Sequence, residues 1–122
     1  MSDLESFCSE CGERVDSGDG WFHVDTAEAT RVISQPGGGP FVAAEWQVHH
    51  RRCSSRLDRG RSVYWIDVEE VISWAGLVYR TALLMAKPWL EGTDWDELLC
   101  EASGTGLLGS RLRPAGSGAV AG

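Results

Sequence analysis

Two short stretches, Cys8-Ser9-Glu10-Cys11-Gly12 and His50-Arg51-Arg52-Cys53, decide how this chain is read. Together they offer three thiolates and one imidazole, a complete tetrahedral donor set for Zn2+. Two cysteines two residues apart can turn both sulfurs inward from one tight knuckle, and Gly12 supplies the positive-φ position such a turn favours. In the second pair, residues three apart share a face of a helical turn, so His50 and Cys53 look the same way. That spacing selects His50 over His49, which is left as a substitute ligand or a neighbour that steadies the site. His23 is a spare metal donor or, more simply, a partly exposed strand histidine. A redox dithiol would follow a strand and open a helix, and the seven mostly polar residues before Cys8 leave no room for that strand.

The chain has 122 residues and a formal charge of −7. This is the length of one domain, and a modest core of that size benefits from a metal staple. We expect a single zinc-binding domain over residues 1–102, with a zinc half at 7–57 and a helical segment at 67–102. Residues 103–122, rich in Gly, Ser and Ala, are expected to form a flexible tail. The acidic start, Met1 to Glu5, lacks the apolar run of a signal peptide, and no stretch of about 18 apolar residues suggests a membrane span. Four cysteines with metal-type spacing then indicate a reducing, cytoplasmic setting rather than a disulfide scaffold.

Between the two ligand pairs the residues predict strands. Gly20–Val24 alternates briefly, and Thr30–Ser34 and Phe41–Val48 are rich in β-branched and aromatic residues. The loop 35–40 would join the latter two as a hairpin, with His49–Leu57 following as a short helix that Gly60 ends. Val63–Ile66 is a further extended run. Asp67 then caps a long helix in which Val68, Val71, Ile72, Ala75, Tyr79, Ala82, Leu83 and Ala86 form one stripe, stopped near Pro88. Thr93 opens a shorter helix with Trp95, Leu98, Leu99 and Ala102 on one face.

A knuckle, a β-hairpin and a helix whose first turn holds the second ligand pair resembles a treble-clef zinc finger, the broad group that includes LIM-type halves and the HNH endonuclease core. The resemblance covers roughly Phe7 to Leu57, and the gap between the pairs is longer than in LIM modules. It implies an α+β fold with Cys8, Cys11, His50 and Cys53 as ligands of a structural zinc. The adjacent His49-His50 invites the nuclease reading, but no downstream Asn and His complete it, and His50 is committed to the metal.

Two further features bear on function. Arg51, Arg52, Arg56, Arg59 and Arg61 place five cationic side chains in eleven residues, a candidate contact for nucleic acid or for an acidic partner. The charge of −7 opposes a polyanion at long range. The long helix is apolar almost all round, with Trp74, Leu77, Val78, Leu84 and Met85 on faces other than its main stripe. These are a candidate surface for a protein partner or a homodimer. No acid–base pair or activated nucleophile stands out. The expectation is therefore a non-enzymatic zinc-binding interaction or regulatory module, the alternative being a nucleic-acid-binding regulator acting through Arg51–Arg61.

Overall fold

The computed structural model describes residues 3–34, 43–53, 63–104 and 111–115. Within them lie two three-stranded antiparallel sheets and three α-helices. One sheet has the order β2-β1-β6, from Arg14–Val15, Leu4–Phe7 and Leu112–Pro114. The other has the order β4-β3-β5, from Gln47–His50, Gly20–Asp25 and Val63–Asp67. Strand β3 is central, and its side chains alternate between two covered faces. Phe22 and Val24 join Val48 and Ile66 in the main core, while Trp21 and His23 pack on the opposite face against Trp65 and His49.

Helix α1, Thr26–Ile33, occupies residues whose β-branched content predicts a strand. The local signals for a helix win. Asp25 accepts a hydrogen bond from the Glu28 amide at 3.0 Å, Glu28 pairs with Arg31 one turn on, and Ala29 and Val32 are buried on one side. The expected hairpin of 30–34 with 41–48 is therefore replaced by the pairing of β4 with β3, in the register Gly20 to His50 through His23 to Gln47. The loop at 35–40 and the start of its second strand lie outside the described residues.

The long helix expected from Asp67 is also corrected. A 3-10 turn at Val68–Glu70 comes first, and Asp67 makes no side-chain capping bond. The chain then breaks, and helix α2, Trp74–Leu84, restarts with Ser73 accepting from the Gly76 amide at 3.0 Å. The break leaves the Ile72 carbonyl free to accept from the Leu4 amide at 2.9 Å, which ties β1 to this corner. Gly76 is required here, because a Cβ would stand 2.4 Å from the Glu70 carbonyl oxygen. Restarting the helix changes its phase. Leu77 and Leu84, two of the residues expected at a partner surface, are buried in the core, whereas Ala75, Tyr79, Ala82, Leu83 and Ala86 of the expected core stripe are exposed.

Helix α3, Trp95–Ser103, packs Trp95, Leu98 and Ala102 inward. Asp94 does not cap it by its side chain. Instead its carboxylate accepts from the Trp46 amide and from Arg111, each at 2.8 Å. The Arg111 guanidinium also grips Glu101, at 2.6 Å, and donates to the Trp46 carbonyl at 2.8 Å. This clamp, with β6 paired to β1, holds Arg111–Pro114 against the rest of the protein. Residues 105–110 and 116–122 of the expected tail lie outside the described residues.

Candidate metal centre

The knuckle begins where β1 ends. The Gly12 amide donates to the Cys8 carbonyl and the Cys8 amide to the Glu13 carbonyl, both at 2.9 Å, with Gly12 at φ 77°. Inside this loop the Glu10 amide points at Cys8 Sγ, 3.4 Å away. Ser9 fastens the knuckle to β4 twice. Its amide donates to the Val48 carbonyl at 2.6 Å, and its hydroxyl accepts from the Val48 amide at 3.1 Å. That double bond brings the first cysteine pair beside the end of β4, where His50 sits.

The second pair is carried by a strand end and a 3-10 turn, Arg51–Cys53, rather than by the first turn of an α-helix. The Arg51 amide donates to the Asp19 carbonyl at 2.8 Å and fixes that turn. The rest of the helix expected to Leu57 lies outside the described residues. The seven residues before Cys8 hold strand β1 after all, but no helix opens at the cysteines, so a redox dithiol's strand-and-helix setting is still lacking.

Cys8, Cys11, His50 and Cys53 place one donor atom each within 4.8 Å of all the others. His50 Nδ1 lies 3.4 Å from Cys11 Sγ and 3.8 Å from Cys53 Sγ. A tetrahedral zinc with bonds of about 2.0 Å to nitrogen and about 2.3 Å to sulfur separates its ligand atoms by roughly 3.5–3.8 Å. The spacing fits. The orientation of the imidazole is the more telling test. His50 is buried, and its Nε2 lies 2.8 Å from the Arg14 carbonyl, which can only accept. The proton therefore sits on Nε2, and the lone pair of Nδ1 faces the three sulfurs, the arrangement that a metal-bound histidine requires.

The thiols respond to this crowding. Burial works against ionisation of Cys8, but the backbone amides of Cys11, His50 and Glu10 outweigh it and bring the thiol down to about 6. Cys53 moves the other way, to about 11, because of desolvation and then the neighbouring Cys8 and Cys11 sulfurs. The rise at Cys53 is the cost of adding negative charge beside two other sulfurs, a cost that a bound cation would remove. Cys11 is exposed and Cys53 half-buried, so the cluster opens to solvent on one side.

His49 takes no place in the cluster. It stacks on His23, and His49 Nδ1 and His23 Nε2 share a hydrogen bond of 2.7 Å. His23 is thus a buried partner and not the partly exposed residue expected; burial and then the His49 charge push its imidazole down to about 4. His49 is lowered in the same direction, mainly by burial. Of the arginine cluster, Arg51 lies 4.7 Å over the Trp21 ring and donates to the Gly18 carbonyl at 2.9 Å. Arg52 lies 3.6 Å from both Glu13 and Asp19. Arg56, Arg59 and Arg61 lie outside the described residues. The contributions of Ser9 and of the Arg14 carbonyl were missed by the spacing argument. Ser9 sits inside the Cys-x-x-Cys turn, where any small residue fits the pattern, and a main-chain carbonyl leaves no mark in a sequence.

Comparison with protein-family models, with curated proteins and with solved structures finds no match. The chain is therefore characterised by its own geometry: a small α+β protein with a Cys3His cluster able to hold a metal ion. Among the described residues no helix is long and apolar enough to cross a membrane.

Proposed function

We propose that this chain is a small, non-enzymatic zinc-binding module, in which the metal is structural and the working surface is the exposed side of α2. The observation that carries the metal reading is the His50 imidazole, held by the Arg14 carbonyl with Nδ1 turned to three cysteine sulfurs. Four protein donors fill a tetrahedral shell and leave no position for a substrate or a reactive water, as structural zinc sites do. The ion would join residues 8–11 to 50–53, distant in sequence, much as a disulfide would in an oxidising compartment; free thiols in this arrangement suit a reducing cytoplasm.

The interaction reading draws on Trp74, Val78 and Met85, which are 44%, 66% and 73% exposed, with Tyr79 and Leu83 beside them. Isolated exposed apolar residues are ordinary, but five large ones on one helix are a contact surface in search of cover. The nucleic-acid alternative rests on the arginines of 51–61, and the two described ones already face Trp21, Glu13 and Asp19.

The test is to purify the untagged protein from its source cells under native conditions and measure metal content and mass together. A zinc-bearing assembly larger than the 13.3 kDa chain supports the reading. A free chain of 13.3 kDa with no bound nucleic acid removes the interaction role, and nucleic acid lost steeply as salt rises would favour the alternative.

A further inference from the structure

Helix α2 is turned inside out relative to an ordinary surface helix. From Trp74 to Ala86 the exposed residues are Trp74, Ala75, Val78, Tyr79, Ala82, Leu83, Met85 and Ala86, and every one is apolar. The two polar side chains of this stretch face the protein. Arg80 pairs with Glu70, and Thr81 donates to the Leu77 carbonyl and accepts from Trp95 Nε1. At about 3.6 residues per turn the exposed set fills roughly half the helix circumference. Its centre is a valley of Ala75, Ala82 and Ala86, with Trp74, Val78 and Met85 as one wall and Tyr79 and Leu83 as the other.

We propose that a second copy of this chain covers this face, as an antiparallel α2–α2 pair about a twofold axis. The inference rests on the interaction reading above and names its partner. Three features point to self-association. The first is steric. An axis crossing midway between Val78 and Ala82 sets Trp74 opposite the partner copy's alanine at 86, Met85 opposite its alanine at 75, and Val78 opposite its alanine at 82. These three large side chains each meet an alanine, with Tyr79 and Leu83 left along the edge, and an alanine-lined contact lets two helix axes approach to about 8 Å. The second is charge. Two copies of a chain at −7 repel, and a face without any charged residue is where they can meet with least like-charge opposition. At its rim, Asp3 accepts from the Trp74 amide at one end and Lys87 follows Ala86 at the other. An antiparallel pair brings these opposite charges together and opposes the two helix dipoles. The third is area. Five large side chains exposed by 40–73% present on the order of 600 Å2, the upper end for a monomer's largest patch. Doubled across an axis, this reaches about 1,200 Å2, the lower limit of a stable specific interface. The dimer should therefore be reversible.

Sedimentation velocity on the purified, zinc-loaded full chain tests this. The expected result is a concentration-dependent rise from 13.3 kDa toward twice that mass. Val78→Glu and Ala82→Lys should each weaken self-association by about tenfold or more while keeping metal content and circular dichroism unchanged. Mixing the two variants should restore the dimer, because glutamate at 78 then faces lysine at 82 across the axis. A wild type that stays at 13.3 kDa, a dimer indifferent to both variants, or a mixture that stays monomeric would each overturn the proposal. If the purified chain is monomeric while the native material is a mixed assembly, only the homodimer fails; a free chain in both preparations removes the interaction reading as well.

Discussion

Two polar fastenings hold this molecule, and they differ in how they are made and in how visible they are. The Cys3His cluster brings residues 8–11 against residues 50–53 in an arrangement that could hold a metal ion, and the Arg111 clamp ties residue 111 to Asp94, Glu101 and the Trp46 carbonyl. Both bridge segments far apart in the chain, and both bury groups that would be costly alone. The cluster concentrates its chemistry in two four-residue units whose spacing is fixed by turn geometry. The clamp assembles three partners at sequence separations of 10, 17 and 65 residues, and no local spacing announces it. A metal site is legible because a small ion demands a particular donor set. An arginine accepts almost any arrangement of oxygens within reach of its fork.

Removal of the ion should have the largest effect. Cys11 is exposed, so Cys11→Ser disturbs little apart from coordination. The expected outcome is loss of metal and of cooperative unfolding, since structural zinc at such sites contributes on the order of 10 kcal/mol. Chelation of the wild type should reproduce this in a thermal melt, and an unshifted melt would sever the link between metal and fold.

Arg111→Met comes next. It leaves the buried Glu101 carboxylate and half-buried Asp94 without their cation, at a cost of about 3–5 kcal/mol by denaturant titration. Zinc content should stay at one per chain. Adding Glu101→Met should recover part of the loss, because a missing partner costs more than a missing pair. A double variant as weak as the single would show that the clamp is not the source of the effect.

His23 gives a smaller effect with a definite pH window. Its imidazole is held at about 4 when folded, against an ordinary value of 6.5, so the unfolded chain binds the proton first. Its contribution is fully present above pH 6.5 and is lost as pH falls toward 4, by about 3 kcal/mol in all. His23→Phe keeps the stacked ring and removes that titration. The variant should gain on the wild type as pH drops through this window and not above it, read as the difference in unfolding free energy. Ser9→Ala is the mildest change. It deprives the Val48 amide of its acceptor and should cost about 1–2 kcal/mol, with the metal retained.

The meeting of Cys8, Cys11, His50 and Cys53, the α+β composition, strands β3 and β5, and the face of α3 were readable from the residues. What failed did so for identifiable reasons. Thr30-Arg31-Val32-Ile33 looks like a strand until Asp25 and Glu28 are seen as a helix start, because a cap five residues before Thr30 outweighs β-branched propensity. The apolar run from Val68 to Ala86 has a helical period throughout, and a period does not reveal a break. Ser73 restarts the helix after a 3-10 turn, and the stripe that faces inward shifts to Leu77 and Leu84. The site itself was clearer than its supports, since Ser9 and the Arg14 carbonyl act through hydrogen bonds that the fold alone creates.

Zinc K-edge absorption spectroscopy on the purified chain, paired with elemental analysis, reads the occupant of the Cys3His cluster and its donor atoms. One zinc per chain is expected, with three sulfur neighbours at about 2.3 Å and one nitrogen at about 2.0 Å, the nitrogen signal disappearing in His50→Ala and persisting in His49→Ala. A protein that folds with no stoichiometric metal, or one whose nitrogen ligand vanishes with His49 instead, would contradict it.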